Sequence, residues 1–316
     1  MESSRTRHGR RARPSRRRPL LHTALAVAAV VGVTAGGTAY VKTRAHPRAA
    51  TVSSAATAPA PSSAGASEEA SVTKAAVDRD ARLREAMAAV RVPTGAEVSA
   101  AVLAVDPGES AGYGGAAFDT ASIVKVDILA VLLLQAQDAD RRLTAAEQAC
   151  ATKMIENSDN ASATELWHSI GRADGLDAAN RRFGLTGTSG GDGELWGLTQ
   201  TTAADQLTLL QQVFGDGDGQ LSAASRAYVQ GLMASVEAGQ RWGVSAADDD
   251  NSCPLKNGWL ARSTTGLWDV NSIGRVTVNG AGYLVAVLSK GTGTQAEGIA
   301  LVEAATKAAV SAFTGE

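Results

Sequence analysis

A mixed α+β fold, with an antiparallel sheet drawn from both ends of one domain and a helical block inserted between, is predicted by three observations. Strand-like runs closed by turn residues occur at residues 98–117 and again at 272–288. The stretch between them, residues 120–240, carries mostly helical spacing. A terminal run, residues 296–313, reads as an amphipathic helix, and a sheet built from the two ends needs such covers on both faces.

The first 75 of the 316 residues differ from the rest. Eight arginines (Arg5, Arg7, Arg10, Arg11, Arg13, Arg16, Arg17, Arg18) precede residues 20–41, which contain no Asp, Glu, Lys or Arg. A basic leader (1–19) ahead of an apolar span is a membrane-targeting layout; positive residues stay inside, so the remainder is expected outside the cytoplasm. Gly37 and Ala39 are small enough for a cleavage site, and about 20 apolar residues are also long enough for an anchor, so signal peptide and transmembrane anchor both stand. Arg17-Arg18 before Pro19-Leu20-Leu21 loosely resembles a twin-arginine signal, but any arginine-rich leader offers such a pair. The span has no cysteine directly after it, which argues against a lipoprotein.

Residues 42–71 are mostly Ala, Ser, Thr and Pro, the composition of a flexible linker, so the folded domain is expected over 72–316. Beyond residue 48 the chain holds 19 Lys/Arg against 31 Asp/Glu, a net charge of −12. So acidic a domain is a poor polyanion binder, and the arginine cluster lacks interleaved aromatics, so nucleic acid is not an expected partner. No internal repeat is visible, and one monomeric domain is expected. Cys150 and Cys253 are compatible with one bridge in an exported domain or with two free thiols.

Residues 72–90 have helical spacing, and 98–105 form an apolar strand closed by Asp106-Pro107-Gly108, with a second strand over 110–117. The run 123–134 is apolar nearly all round and marks a buried helix, with Asp119 and Thr120 as N-cap types ahead of it. A helix over 145–155 ends in the polar loop Asn157-Ser158-Asp159-Asn160, and another covers 163–170. Residues 254–259 read as a short strand containing a glycine. The strands 272–278 and 283–288 are joined by Asn279-Gly280-Ala281-Gly282, a hairpin signal.

Within this frame Ser122 falls at the first turn of the buried helix, where free N–H groups favour an oxyanion. Lys125, three residues on, shares its face. A buried lysine beside a second cation, which Lys256 would supply, loses proton affinity and becomes a base for the serine hydroxyl. A serine and lysine three apart arise often without function. Ser158-Asp159-Asn160 and Lys256-Asn257-Gly258, following in order, make chance a poor explanation.

Phe118-Asp119-Thr120-Ala121-Ser122-Ile123-Val124-Lys125, then Ser158-Asp159-Asn160, then Lys256-Asn257-Gly258, resemble the serine β-lactamase and penicillin-binding protein family, and the class A branch most closely. The resemblance spans about residues 72–313 and implies a β-lactamase/transpeptidase-like fold. It implies that Ser122 is the acylated nucleophile, Lys125 its proton acceptor and Ser158 a proton shuttle to the leaving nitrogen. Asn160 would bind the substrate amide, Lys256 with Asn257 the carboxylate, and the N–H groups of Ser122 and Trp259, beside Gly258, would form the oxyanion hole. Asp159 would be structural. The implied partner is a small β-lactam or D-alanyl peptide, with the membrane a second partner if the span is retained; no cofactor is implied.

The chain departs from the family pattern in three places. Asn257 stands where the family has Thr or Ser. Only 36 positions separate Ser122 from Ser158, fewer than in class A enzymes, which implies a more open cleft. The family's deacylating glutamate has no match over 183–202; Glu194 is the acid of that type there, at spacing too short to Thr201-Thr202.

Gly187-Thr188-Ser189-Gly190-Gly191 matches a nucleophile elbow, but no strand precedes it and no helix follows. The domain's one histidine, His168, lies upstream of that serine and reads as a packed helix residue. One histidine and two distant cysteines offer no zinc set, and Asp216-Gly217-Asp218-Gly219 lacks the other ligands of a calcium loop. Trp196, Trp242 and Trp268 read as domain-edge core, and Trp259 as a cleft residue.

Overall fold

A computed structural model describes residues 77–217 and 219–315. The leader, the apolar span and the linker lie outside the described residues. Among those described, no helix is long and apolar enough to cross a membrane.

The sheet has the order β2-β1-β7-β6-β5, every pair antiparallel, with β1 (Glu97–Ala104) and β2 (Ser110–Tyr113) from one end of the domain. Its other strands, β5 (Leu255–Ala261), β6 (Trp268–Val278) and β7 (Ala281–Thr292), come from the other end. The expected hairpin turns on Asn279 and Gly280, both left-handed at φ 52° and 77°, as a two-residue type I′ turn requires. Residues 283–289 of β7 are all buried, whichever face they point to, because both faces are covered. Helices α1 (Arg79–Ala88) and α8 (Gln295–Thr314) pack together over one face, and α6 (Ala203–Phe214) lies on β1, β6 and β7 as part of the helical block.

Several ends differ from expectation for identifiable reasons. Helix α1 begins at Arg79 because the Asp78 side chain accepts the Ala81 N–H and caps it. β2 stops at Tyr113 because Gly114 turns the chain at φ 73°, where a Cβ would lie 2.4 Å from Ser99 Oγ. A two-residue strand, β3 (Phe118–Asp119), then pairs with β4 (Gln200–Thr201). β6 and β7 outrun their apolar cores because Asp269, Asn271 and Ser289 are buried within them; Ser289, for example, donates from N to Asn271 Oδ1 and from Oγ to Val270 O. Cys150 and Cys253 are free thiols.

The helical block is built around α2 (Val124–Asp138), whose residues 124–134 are all buried between α4 (Asn160–Ser169), α5 (Arg172–Phe183) and α7 (Ala223–Ala234). Helix α3 (Ala145–Glu156) opens with a capping box between Thr144 and Glu147, and its last turn delivers the loop that carries Ser158.

Asp127 sits inside this block, accepting from Asn180 Nδ2 at 3.0 Å, with Asp127 Oδ1 and Asn180 Oδ1 left without partners. Burial pushes its carboxyl up to about 7, and Asp177 and Asp205 push the same way against the Asn180 bond. A proton on Asp127 would satisfy both orphaned oxygens. The folded state thus keeps a proton that the unfolded chain releases near pH 4, and the stability this carboxyl contributes declines as pH rises from about 4 to about 7. Asp127→Asn removes that dependence and is expected to be more stable than the parent at pH 8 by on the order of 2–4 kcal/mol, with little difference at pH 4. Urea unfolding at both pH values checks this; equal differences at the two would exclude a protonated Asp127.

Candidate active site

The turn bearing Ser122 is gripped from three sides. Ser122 lies in a 3-10 turn, Ala121–Ile123, that leads into α2, and Ala121 before it is left-handed at φ 48°. Thr120 does not cap the helix with its side chain, contrary to the expectation for Asp119 and Thr120. The anchoring comes instead from Asn271, which donates to Asp119 O at 2.9 Å and Thr120 O at 3.0 Å, and from Thr199 O, which accepts the Thr120 N–H at 2.9 Å. On the third side β5 runs so close that a Cβ at Gly258 would lie 2.7 Å from Ser122 N and 2.8 Å from Ile123 N. Asp119 closes the outer edge through Arg262 and Gln200.

Lys125 is fully buried, and its Nζ donates to Ser158 O at 2.6 Å, Ser158 Oγ at 3.0 Å and Asn160 Oδ1 at 2.8 Å. Ser158 offers both oxygens to one amine because its backbone is left-handed, φ 56°. Asp159 accepts the Ser162 N–H and caps α4, which fixes Asn160 as that helix's first residue. Lys256 approaches from β5, also fully buried, and donates to Ser158 Oγ at 3.1 Å and to Asn257 O at 3.0 Å.

Burial pushes Lys125 down to about 7, partly offset by Asp159. Lys256 is driven well below the usual lysine range, first by burial and then by Lys125, with Glu237 opposing. Two ammonium groups on one hydroxyl repel, so a neutral amine beside Ser158 is the favoured state near neutrality. A neutral amine, a shared hydroxyl and a serine on an immobilised turn can take, pass and return one proton.

Ser122 opens on a cleft of about 580 Å³ shared with Asn160, Thr164, Trp196 and Trp259. Lys125, Ser158 and Lys256 lie behind it. Along β5, Lys256 and Gly258 face the Ser122 side while Asn257 faces the other way. The Asn257 side chain is fully buried and donates to Gln240 O at 2.7 Å and Trp242 O at 2.9 Å, so it is an internal bracket and not the cleft group expected from the sequence. The Trp259 ring stacks at a tilt on Trp242, 5.9 Å away.

Two other expectations, those for His168 and Trp196, change. His168 is exposed, not packed, with Nε2 2.6 Å from Glu194 Oε2. Glu194 also accepts from Arg172 Nε at 3.1 Å, and these bonds hold its carboxyl below the usual range at the cleft rim. Trp196 is a cleft residue, its ring 4.9 Å from Lys125 Nζ. Ser189 is exposed in a loop and joins Gln200 by an isolated bridge, so the rival nucleophile has neither flank.

An end-to-end antiparallel sheet, a buried helix behind a serine turn and two lysines meeting on one hydroxyl define the architecture of serine β-lactamases and penicillin-binding proteins. Residues 146–313, more than half the chain, match the family described as the β-lactamase enzyme family, and the chain belongs to it. Among solved structures it is similar to a class A β-lactamase from Bacteroides cellulosilyticus, at 17% identity and a TM-score of 0.63, covering 75% of this chain and 99% of that one. It is similar also to a mutant of PBP-A in an acyl-enzyme complex with penicillin G, at 19% identity and a TM-score of 0.64, covering 75% and 97%. A β-lactamase from Xanthomonas campestris shares 21% identity at a TM-score of 0.56, covering 73% and 95%. Curated proteins give no sequence match.

Proposed function

We propose that this chain is an exported or membrane-anchored serine hydrolase, acylated at Ser122 by a β-lactam amide that it then hydrolyses. The observation that carries this is the meeting of Lys125 and Lys256 on Ser158 Oγ behind the Ser122 cleft. Neutral Lys125 takes the Ser122 proton as Oγ attacks the carbonyl. The N–H groups of Ser122 and Trp259 receive the oxyanion. Ser158, bonded to both lysines, passes a proton to the leaving nitrogen, Asn160 receives the substrate amide, and Lys256, protonated when the bound carboxylate offsets its burial and Lys125 is neutral, draws that carboxylate without help from Asn257. Water then frees the acid and returns the proton to Ser122. Export rests on the arginine cluster ahead of residues 20–41.

A penicillin-binding enzyme of D-alanyl peptides is a second reading. It is favoured by Glu194, whose carboxylate is bound to His168 and Arg172 rather than free to activate water. The intact constellation stands against a purely ligand-binding domain.

Intact mass of the purified domain followed over time with penicillin G, with peptide mapping of any adduct, separates these. A transient adduct on the Ser122 peptide with loss of the drug is the expected result. A lasting adduct there moves the assignment to the penicillin-binding reading, and the absence of any adduct sinks acylation by that substrate.

A further inference from the structure

Trp196 lines the same cleft as Ser122. It opens the 3-10 turn Trp196–Leu198, half-buried, with its ring 4.9 Å from Lys125 Nζ. Its Nε1–H donates to Thr164 Oγ1 at 3.1 Å, which fixes the plane of the indole against α4. The loop behind it is tied down as well. Thr199 O accepts from Thr120 N, and Thr199 Oγ1 accepts the Gly191 N–H at 3.1 Å. Lys125 Nζ is thereby enclosed by Ser158 and Asn160 on its polar side and by an aromatic face on the other. The carboxylate nearest in the chain, Glu194, is turned outward to His168 and Arg172. Beside Ser122 and Lys125 the cleft thus presents an indole, while the carboxylate of Glu194 is engaged by His168 and Arg172.

Resting on the reading that Ser122 is acylated, we propose that Trp196 is a positioning residue that keeps water off the acyl-Ser122 ester and Lys125 in its dry pocket, and so sets the lifetime of the acyl-enzyme. In release, a water oxygen bonds to the ester carbonyl carbon as its proton passes to neutral Lys125. The C–Oγ bond then breaks, and Ser122 Oγ recovers the proton from Lys125. The indole acts on the first event, by occupying the space that the water must enter.

The test compares the parent with Trp196→Ala, Trp196→Phe and Thr164→Val. Each is loaded with penicillin G, freed of excess drug and followed by intact mass, with acylation rates taken across pH. Trp196→Ala is expected to lose its adduct at least about tenfold faster. Its acylation should also need a higher pH, because Lys125 regains water and moves toward its ordinary value. Trp196→Phe keeps an aromatic wall and should stay within about threefold of the parent on both measures, with Thr164→Val between the two. A Trp196→Ala adduct as long-lived as the parent's overturns the inference while leaving Ser122 acylation standing. Equal losses in Trp196→Ala and Trp196→Phe overturn it in favour of a merely structural tryptophan. If Trp196→Ala fails to fold, the Phe and Val variants decide, since unchanged lifetime and pH profile in Thr164→Val contradict a fixed indole. A parent that forms no adduct at Ser122 removes the reading beneath it, a distinguishable failure.

Discussion

Lys125→Ala is expected to acylate with penicillin about a thousandfold more slowly than the parent, measured as the second-order rate of adduct formation. The size follows from what the amine does. A serine hydroxyl is a weak nucleophile until a neutral amine takes its proton, and Lys125 is the amine to which the proposed function gives that role. The parent's rate should rise as pH passes through about 7, where Lys125 gives up its proton, and flatten above. Lys125→Arg should be as slow as the alanine variant and show no such rise, because a guanidinium stays protonated throughout. The fold should survive. The pKa of Lys125 is depressed from an ordinary 10.5, so the unfolded chain binds the extra proton, and the stability this lysine withholds is greatest below about pH 7 and vanishes above about 10.5. Removing the amine at neutral pH therefore relieves a burial penalty, which offsets the donors lost by Ser158 O and Asn160 Oδ1. A Lys125→Ala protein that acylates at the parent rate would exclude the lysine as the base.

The motifs are legible because each is short and its residues act close to where they stand in the chain. Ser122 and Lys125 share a helix turn, and Ser158 and Asn160 flank the residue that caps the next helix. What sequence does not supply is whatever depends on two distant segments meeting. Asn271 is one polar residue in an apolar strand until β6 pairs Asn271 with Gly258 and sets its amide on the turn that carries Ser122. Trp196 reads as edge core because nothing in its neighbourhood announces that residues 191–199 fold back over Lys125. Asn257 misleads for the opposite reason: its motif position suggests the cleft, while strand alternation, with Lys256 and Gly258 already facing the serine, sends it inward. His168 stands at the exposed end of α4, where a hydrogen bond with Glu194 replaces core packing. Strand ends suffer likewise, since buried Asp269, Asn271 and Ser289 look like loop residues until their partners are known.

Gly258→Ala is expected to lower the acylation rate about a hundredfold or more and to cost about 1–3 kcal/mol of stability. The three atoms nearest the new methyl are all backbone: Ser122 N at 2.7 Å, Ile123 N at 2.8 Å and Thr120 O at 2.8 Å. An ordinary contact there is closer to 3.5–4.0 Å, so strand and turn must separate by about 1 Å. The turn cannot yield cheaply, because Asn271 holds Asp119 O and Thr120 O while Thr199 O holds the Thr120 N–H. Nor can β5 yield alone, being paired to β6 along its whole length. The displacement falls on Ser122, on its backbone N–H and on its approach to Lys125, which is why rate suffers more than fold. Gly231→Ala is the matched control: the same methyl, added in the exposed interior of α7 with nothing within 4 Å, should raise stability by about 0.5–1 kcal/mol and leave acylation unchanged. Adduct kinetics and urea unfolding on the pair measure both effects. Parental acylation in Gly258→Ala would mean that β5 does not bear on the nucleophile's turn, and the site's geometry would have to be redrawn around a different wall.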